Sequence, residues 1–122
     1  MAHTILIVDD DQYLRDLYQE VLTSEGYKVD TAIDGKEGYD KLQSGTYDLV
    51  LLDVMMPKMD GLQVLTKLAE LPPVPTRKIV LLTNLAQDPV IQEAMKKGAT
   101  TYLIKADLTP DQLTARIKEI LA

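Results

Sequence analysis

Hydrophobic positions in this chain follow two spacings, short continuous runs and longer stretches with a helical period. Aliphatic residues fill positions 5–8, 49–52 and 79–82 without a polar interruption. Runs of this length are typical of parallel strands buried on both faces. Residues 27–31 alternate between apolar and polar instead, which predicts a strand at the edge of a sheet. A fifth strand is predicted at 101–104.

Helical periodicity separates the predicted strands. The first helix ends before Gly26, and the second covers residues 34–44, followed by a glycine stop. A third helix starts near Asp60. Asp88 and Thr109 are predicted to cap the fourth and fifth helices, because Asp and Thr side chains accept hydrogen bonds from the first amides of a helix.

The order of elements is five repeats of strand then helix. This alternation predicts an α/β fold in which helices cover both faces of a doubly wound parallel sheet, with right-handed crossovers. Five units are too few for an eight-stranded barrel, so the sheet is expected to be open. The proline-rich segment 71–75 is too short and too apolar for an interdomain linker, and residues 1–122 are predicted to form one domain.

Composition removes several classes of function. The chain has 122 residues and no cysteine, which excludes disulfides, zinc–thiolate sites and thiol nucleophiles. Its net charge of −6 argues against nucleic acid as a direct partner. No apolar run approaches the roughly 20 residues that span a bilayer, and the start lacks a secretory signal. A cytoplasmic protein without a membrane partner is expected.

Polar residues with chemical potential follow the predicted strands. Residues 9–11 are three aspartates after the first strand, Asp53 ends the third, Thr83 ends the fourth and Lys105 follows the fifth. In an open parallel sheet, binding sites form outside the carboxyl ends of the strands. The carboxylates, the hydroxyl and the ammonium are therefore expected to converge on one crevice.

The clustered carboxylates require a cation, and together with the hydroxyl and the ammonium they are suited to phosphoryl transfer. Packed carboxylates repel one another unless a cation balances them, and oxygen ligands without His or Cys favour Mg²⁺. Asp53 is predicted to be the nucleophile that forms an acyl phosphate. Lys105 would neutralise the phosphoryl oxygens, and Thr83 would donate a hydrogen bond to one of them.

Five segments of the chain resemble the receiver domains of two-component response regulators. They are residues 7–11, 51–57, 60–61, 82–84 and 102–105, which occur in the family's order and at its spacing. The resemblance covers nearly the whole chain. It implies the flavodoxin-like receiver fold, with five helices and the strand order 2-1-3-4-5.

The same resemblance implies a metal and a phosphoacceptor. Asp9 and Asp10 would hold Mg²⁺, with Asp53 and the backbone carbonyl of Met55 completing the protein ligands. Asp53 would accept a phosphoryl group from the phosphohistidine of a sensor histidine kinase or a histidine phosphotransfer protein. No turnover of an external substrate is expected.

A conformational switch is also implied. Thr83 and Lys105 would contact the phosphoryl group, and Tyr102 would turn inward as Thr83 moves. The change would alter a partner-binding surface around helix 4, strand 5 and helix 5. Because the sequence stops at Ala122, directly after helix 5, the output is expected from a downstream protein or from an output domain outside this sequence.

Three residues depart from the family pattern. Ala106 replaces the proline that usually follows the lysine through a cis bond, so the loop is either trans and shaped differently or strained. Asn84 is larger than the usual residue and would narrow access to Asp53. Met55 places an apolar side chain beside the acceptor, from which we hypothesise slow self-dephosphorylation.

Three other functions compete with this interpretation. A flavin-binding domain needs a phosphate-cradling loop after strand one, where this chain has three aspartates. An aspartyl-phosphate hydrolase places a second Asp two residues after its nucleophile, and that position is Met55. The serious alternative is a receiver-like interaction module that is not regulated by phosphorylation. Mg²⁺-dependent phosphorylation separates it from a receiver.

Overall fold

The computed structural model describes residues 3–56, 58–72, 77–84 and 89–122. Within these residues, five parallel strands form one sheet in the order β2-β1-β3-β4-β5. The strands are β1 (Thr4–Val8), β2 (Lys28–Ala32), β3 (Leu49–Asp53), β4 (Lys78–Thr83) and β5 (Thr101–Ile104). The predicted doubly wound fold and its strand order are confirmed.

A helix follows each strand, as the hydrophobic pattern predicts. The helices are α1 (Gln12–Ser24), α2 (Gly35–Ser44), α3 (Gly61–Leu68), α4 (Pro89–Lys96) and α5 (Pro110–Leu121). Thr109 caps α5 in a reciprocal pair with Gln112, and Asp34 and Asp60 cap α2 and α3. Asp88, Pro57 and residues 73–75 of the proposed connector lie outside the described residues.

The side-chain alternation of the central strands creates two apolar cores. Leu6 and Val8 of β1 face one core, which α2, α3 and α4 cover, whereas Ile5 and Ile7 face the other, which α1 and α5 cover. Because both faces of β1, β3 and β4 are covered, these strands need apolar residues at successive positions. This requirement explains the continuous runs in the sequence.

The two edge strands are less buried than the central three. β2 and β5 keep partly exposed positions along their length, in agreement with the alternating pattern that predicts β2 at an edge. None of the helices in the described ranges has the length and apolar character needed to cross a membrane.

Candidate functional site

The carboxyl edge of the sheet brings the predicted residues together. β1 pairs with β3 in register up to Val8, so Asp9 lies beside Asp53 at the strand ends. Thr83 ends β4 and Lys105 follows β5, both beyond Asp53 in the order of the sheet. The crevice expected from the strand order is therefore present.

Three carboxylates form the centre of this crevice. One oxygen from each of Asp9, Asp10 and Asp53 lies within 4.8 Å of the others. Asp9 has no exposed surface and Asp53 is 5% exposed, whereas Asp10 is exposed. The cluster is thus buried on the β1–β3 side and open to solvent on the side of Asp10.

The ammonium of Lys105 joins two of the carboxylates. Its Nζ lies 2.9 Å from Oδ2 of Asp9 and 3.2 Å from Oδ2 of Asp53. Only 11% of the lysine side chain is exposed, so water screens these ion pairs weakly. With three carboxylates and one ammonium, the site carries a formal charge of −2 when every group is ionised.

Burial and charge oppose the ionisation of Asp53. Burial, followed by the neighbouring charge of Asp9, raises the pKa of Asp53 to about 7, although Lys105 acts to lower it. Burial acts to lower the pKa of Lys105, but its contacts with Asp9 and Asp53 outweigh that effect and raise the pKa. Lys105 therefore stays protonated beside carboxylates whose negative charge it only partly balances.

Backbone groups orient the two buried carboxylates. The amide of Asp11 donates to Oδ1 of Asp9 at 2.9 Å, and the amide of Met55 donates to Oδ1 of Asp53 at 3.3 Å. Oδ2 of Asp9 accepts no hydrogen bond of favourable angle within the described chain, although it lies at ion-pair distance from Lys105. A buried oxygen with lone pairs left over is suited to a bound cation.

Arg15 is a supporting residue that sequence reasoning missed. Its Nη1 donates to the backbone carbonyl of Asp9 at 2.8 Å and ties α1 to the β1–α1 loop. The side chain of Asp11 accepts from the amide of Leu14 at 3.2 Å and caps α1, so the third aspartate of the triplet is structural. No local pattern in the sequence distinguishes Arg15 from a solvated helix residue.

The other predicted residues surround the crevice. Thr83 is buried at the end of β4, and Asn84 directly after it is exposed. The Met55 side chain is 71% exposed beside Asp53. Tyr102 on β5 is 36% exposed and lines the groove between β5 and α5.

Lys105 begins a short 3₁₀ turn, Lys105–Asp107, that leads toward α5. The bond between Lys105 and Ala106 is trans, as are all peptide bonds of the described residues. Of the two loop geometries that the Lys-Ala sequence left open, the trans form is therefore present.

The donor set fits a hard divalent cation. Three carboxylates contribute only oxygen ligands, buried Oδ2 of Asp9 accepts no hydrogen bond of favourable angle within the described chain, although Lys105 lies 2.9 Å away, and the charge of Mg²⁺ would balance the formal charge of −2. The methionine sulfur atoms do not alter this conclusion, because a thioether alone does not provide the soft ligand set that Zn²⁺ or Cu⁺ prefers. The site is a candidate Mg²⁺ centre.

Sequence comparison finds a protein family that matches nearly the whole chain. The family described as "Response regulator receiver domain" matches residues 5–118. The chain is also 36% identical over 121 residues to the "Transcriptional regulatory protein SrrA" of Staphylococcus aureus. That match covers 99% of this chain but 48% of SrrA, so the chain spans about half the length of this relative.

Solved structures with the same fold include a chemotaxis protein and a response regulator. The chemotaxis protein CheY4 of Vibrio cholerae superposes with a TM-score of 0.90 at 30% identity, covering 99% of this chain and 100% of that one. The response regulator TrrA of Thermotoga maritima, "in complex with Mg(2+)-BeF", has a TM-score of 0.83 at 36% identity, with the same coverage.

Proposed function

Because this chain belongs to the response regulator receiver domain family of two-component systems, we propose that it is a phosphorylation switch whose acceptor is Asp53. The observation that carries the proposal is the convergence of Asp9, Asp10 and Asp53 at one strand edge, with Lys105 bridging two of them. Residues 1–122 would act as one receiver domain.

We assign the metal site to Asp9, Asp10, Asp53 and the backbone carbonyl of Met55. Mg²⁺ bound there would neutralise negative charge on the transferring phosphoryl group. Asp9 is held for this role by the Asp11 amide and by Arg15. Asp10 is exposed, so a hydrated ion entering from solvent would contact it first.

Asp53 would act as the nucleophile. A carboxylate oxygen attacks phosphorus, the phosphorus–nitrogen bond of a phosphohistidine breaks, and the electron pair leaves on the imidazole nitrogen. Lys105 would contact the phosphoryl oxygens with its ammonium, and Thr83 would donate its hydroxyl hydrogen to one of them. Receivers are signalling domains, and this reaction would modify the chain itself and turn over no external substrate.

The output would be a change of shape away from the acceptor. A groove of about 530 Å³ lies between β5 and α5, lined in part by Tyr102, Ile104, Leu108 and Arg116. Movement of Thr83 toward a phosphoryl group would make room for Tyr102 to turn inward and would reshape this groove. We therefore propose the α4–β5–α5 surface as the partner-binding surface.

The partners follow from the same chemistry. A receiver interacts with a sensor kinase or a phosphotransfer protein, and we propose a phosphohistidine donor in the cytoplasm. Because SrrA is about twice as long as the matched segment, the downstream partner would be either a separate protein or an output domain joined to this one. No direct contact of this chain with nucleic acid is proposed.

The test is phosphorylation by acetyl phosphate. Intact mass, measured after acid quenching with and without Mg²⁺, is expected to increase by one phosphoryl group only when Mg²⁺ is present. An Asp53→Ala variant is expected to gain none. If the folded wild-type chain gains no phosphoryl group under any condition, the interaction module that is not regulated by phosphorylation becomes the better explanation.

Met55 is expected to lengthen the life of the phosphorylated state. Its exposed thioether can neither donate to nor accept strongly from a water molecule approaching Asp53. Met55→Asn adds an amide that can orient this water but cannot take its proton, so we expect dephosphorylation about tenfold faster, less than the roughly 100-fold or more of a true general base. Phosphoryl lifetime is measured after removal of acetyl phosphate, with Met55→Leu as the apolar control. Equal lifetimes for Met55→Asn and wild type would contradict the hypothesis.

A further inference from the structure

The loop between β3 and α3 rests on the first turn of α2. A Cβ atom built on Gly35 would lie 1.7 Å from the carbonyl oxygen of Met59 and 2.6 Å from its carbonyl carbon. The obstacle is backbone and not the movable end of a side chain. Gly35 is therefore required because the loop occupies the space of a side chain.

A second contact joins the same two segments. Lys58 has a φ of 67°, a backbone conformation that residues with a side chain rarely adopt. Its Nζ lies 3.7 Å from Oδ2 of Asp34, a buried carboxylate whose other oxygen caps α2 through the amide of Glu37. This strained residue directly precedes Met59, whose backbone packs against Gly35.

The far end of the loop closes against the acceptor strand. The amide of Gly61 donates to the carbonyl of Val54 at 3.1 Å, and a Cβ on Gly61 would lie 2.6 Å from the carbonyl oxygen of Asp53. Gly61, two residues after Met59, is thus fastened to the residue that precedes Met55. A displacement of Met59 is expected to move Gly61 and to disturb this hydrogen bond.

We propose that Gly35 is a positioning residue for the metal and phosphoacceptor site. It acts through the backbone of Met59, whose contact with α2 fixes the position of Gly61. Gly61 is hydrogen-bonded to Val54, next to Met55, and the Met55 amide orients the Asp53 carboxylate. The part that concerns Mg²⁺ rests on the proposed function, whereas the mechanical part does not.

Gly38 provides a matched control in the same helix. A Cβ on Gly38 would approach two methyl carbons of Val8 at 2.8 Å. Both glycines are buried in α2, and Gly→Ala adds one methyl group at each. The two variants differ in what the methyl group displaces, which is the loop in one and a β1 side chain in the other.

The first measurement is hydrogen exchange without metal. In Gly35→Ala, exchange of the Gly61 amide is expected to be about tenfold faster relative to Leu51 in the central strand, which reports global opening. In Gly38→Ala, the ratio of the two rates is expected to match wild type. Equal ratios in the two folded variants would overturn the proposal.

The second measurement is calorimetric titration of Mg²⁺ in the absence of a phosphodonor. Gly35→Ala is expected to weaken Mg²⁺ binding about tenfold, within the range for groups that orient metal ligands, and Gly38→Ala to leave it unchanged. Undiminished binding in Gly35→Ala overturns the role in metal positioning. If wild type itself binds no Mg²⁺ while the exchange contrast is present, the metal assignment fails and the mechanical coupling stands.

Asp34→Ser provides a milder variant if Gly35→Ala does not fold. Serine keeps a cap for α2 but loses the oxygen that faces Lys58. Mg²⁺ affinity is expected to fall about twofold, as for the loss of a partly exposed ion pair. Unchanged affinity and unchanged Gly61 exchange in this variant would count against the proposal.

Discussion

Lys105→Met is expected to destabilise the metal-free fold by about 3 kcal/mol at pH 8, because it leaves two buried carboxylates without their cation. The lysine lies 2.9 Å from Asp9 and 3.2 Å from Asp53, and its side chain is 11% exposed. Methionine retains most of the aliphatic packing, so the change isolates the loss of charge. Such a loss is a large part of the stability of a domain this size.

This deficit is expected to shrink as the pH falls. The pKa of Asp53 is already raised to about 7 by burial and by Asp9, and removal of the ammonium raises it further. A carboxyl whose folded pKa lies above its unfolded value destabilises the fold as pH rises above the unfolded pKa, because the native state then binds more protons than the unfolded state. The deficit is therefore largest above pH 7 and smaller near pH 5.

Urea unfolding at pH 5 and pH 8, with and without Mg²⁺, measures these differences. Mg²⁺ should recover part of the lost stability, since it supplies positive charge to the same carboxylates. Lys118→Met is a suitable control, because this exposed lysine is paired with exposed Glu25 across 3.4 Å. A Lys105→Met deficit no larger than that of Lys118→Met would contradict the structure's account of the site.

Asp53→Asn is expected to have the opposite effect and to raise the metal-free free energy of unfolding by about 2 kcal/mol at pH 8. Asparagine keeps the shape of the side chain and removes one of two buried negative charges. The raised pKa of Asp53, to about 7, means that its ionised form costs stability once the pH exceeds the unfolded value. The gain should therefore fall to roughly half near pH 5, where the native wild-type carboxyl is protonated.

In the presence of Mg²⁺, wild type is expected to become more stable than Asp53→Asn. Wild type gains stability by binding the ion, whereas Asp53→Asn loses a charged ligand and gains less. Asp10→Asn is the control for charge removal without burial, because Asp10 is exposed. The metal-free free energy of unfolding of this variant should differ from that of wild type by less than about 0.5 kcal/mol. If Asp53→Asn were less stable than wild type without metal at pH 8, the conclusion that ionised Asp53 destabilises the metal-free fold would be wrong.

These variants also separate stability from signalling. Asp53→Asn should fold well and accept no phosphoryl group, whereas Lys105→Met should fold less well and keep its acceptor. A loss of phosphorylation in the first variant thus cannot be attributed to unfolding. Together they assign opposite electrostatic roles to two residues that the sequence places in one crevice.

Much of the fold could be predicted from the chain alone because its determinants are local. Continuous apolar runs predict strands covered on both faces, and β1, β3 and β4 lie where those runs occur. The alternating segment that follows Gly26 became the edge strand β2. Thr109 caps α5 as predicted, and the structure pairs it with Gln112 in a capping box.

The candidate site was predictable for a related reason. Asp9, Asp53, Thr83 and Lys105 each end or follow a predicted strand, and parallel strands bring their carboxyl ends to one edge. The family resemblance supplied the strand order. The chemical roles of all these residues, and those of Asp10, Tyr102 and the Met55 carbonyl, are proposals.

What the sequence determined by itself is therefore the order of elements and the edge at which the polar residues meet, because both depend on spacing along the chain. The tertiary structure decided which of those residues touch. It made the Asp11 side chain a helix cap, and it placed one ammonium against two carboxylates. It also set Gly35 against the backbone of Met59. These contacts depend on the packing of segments distant in sequence, which no local period specifies.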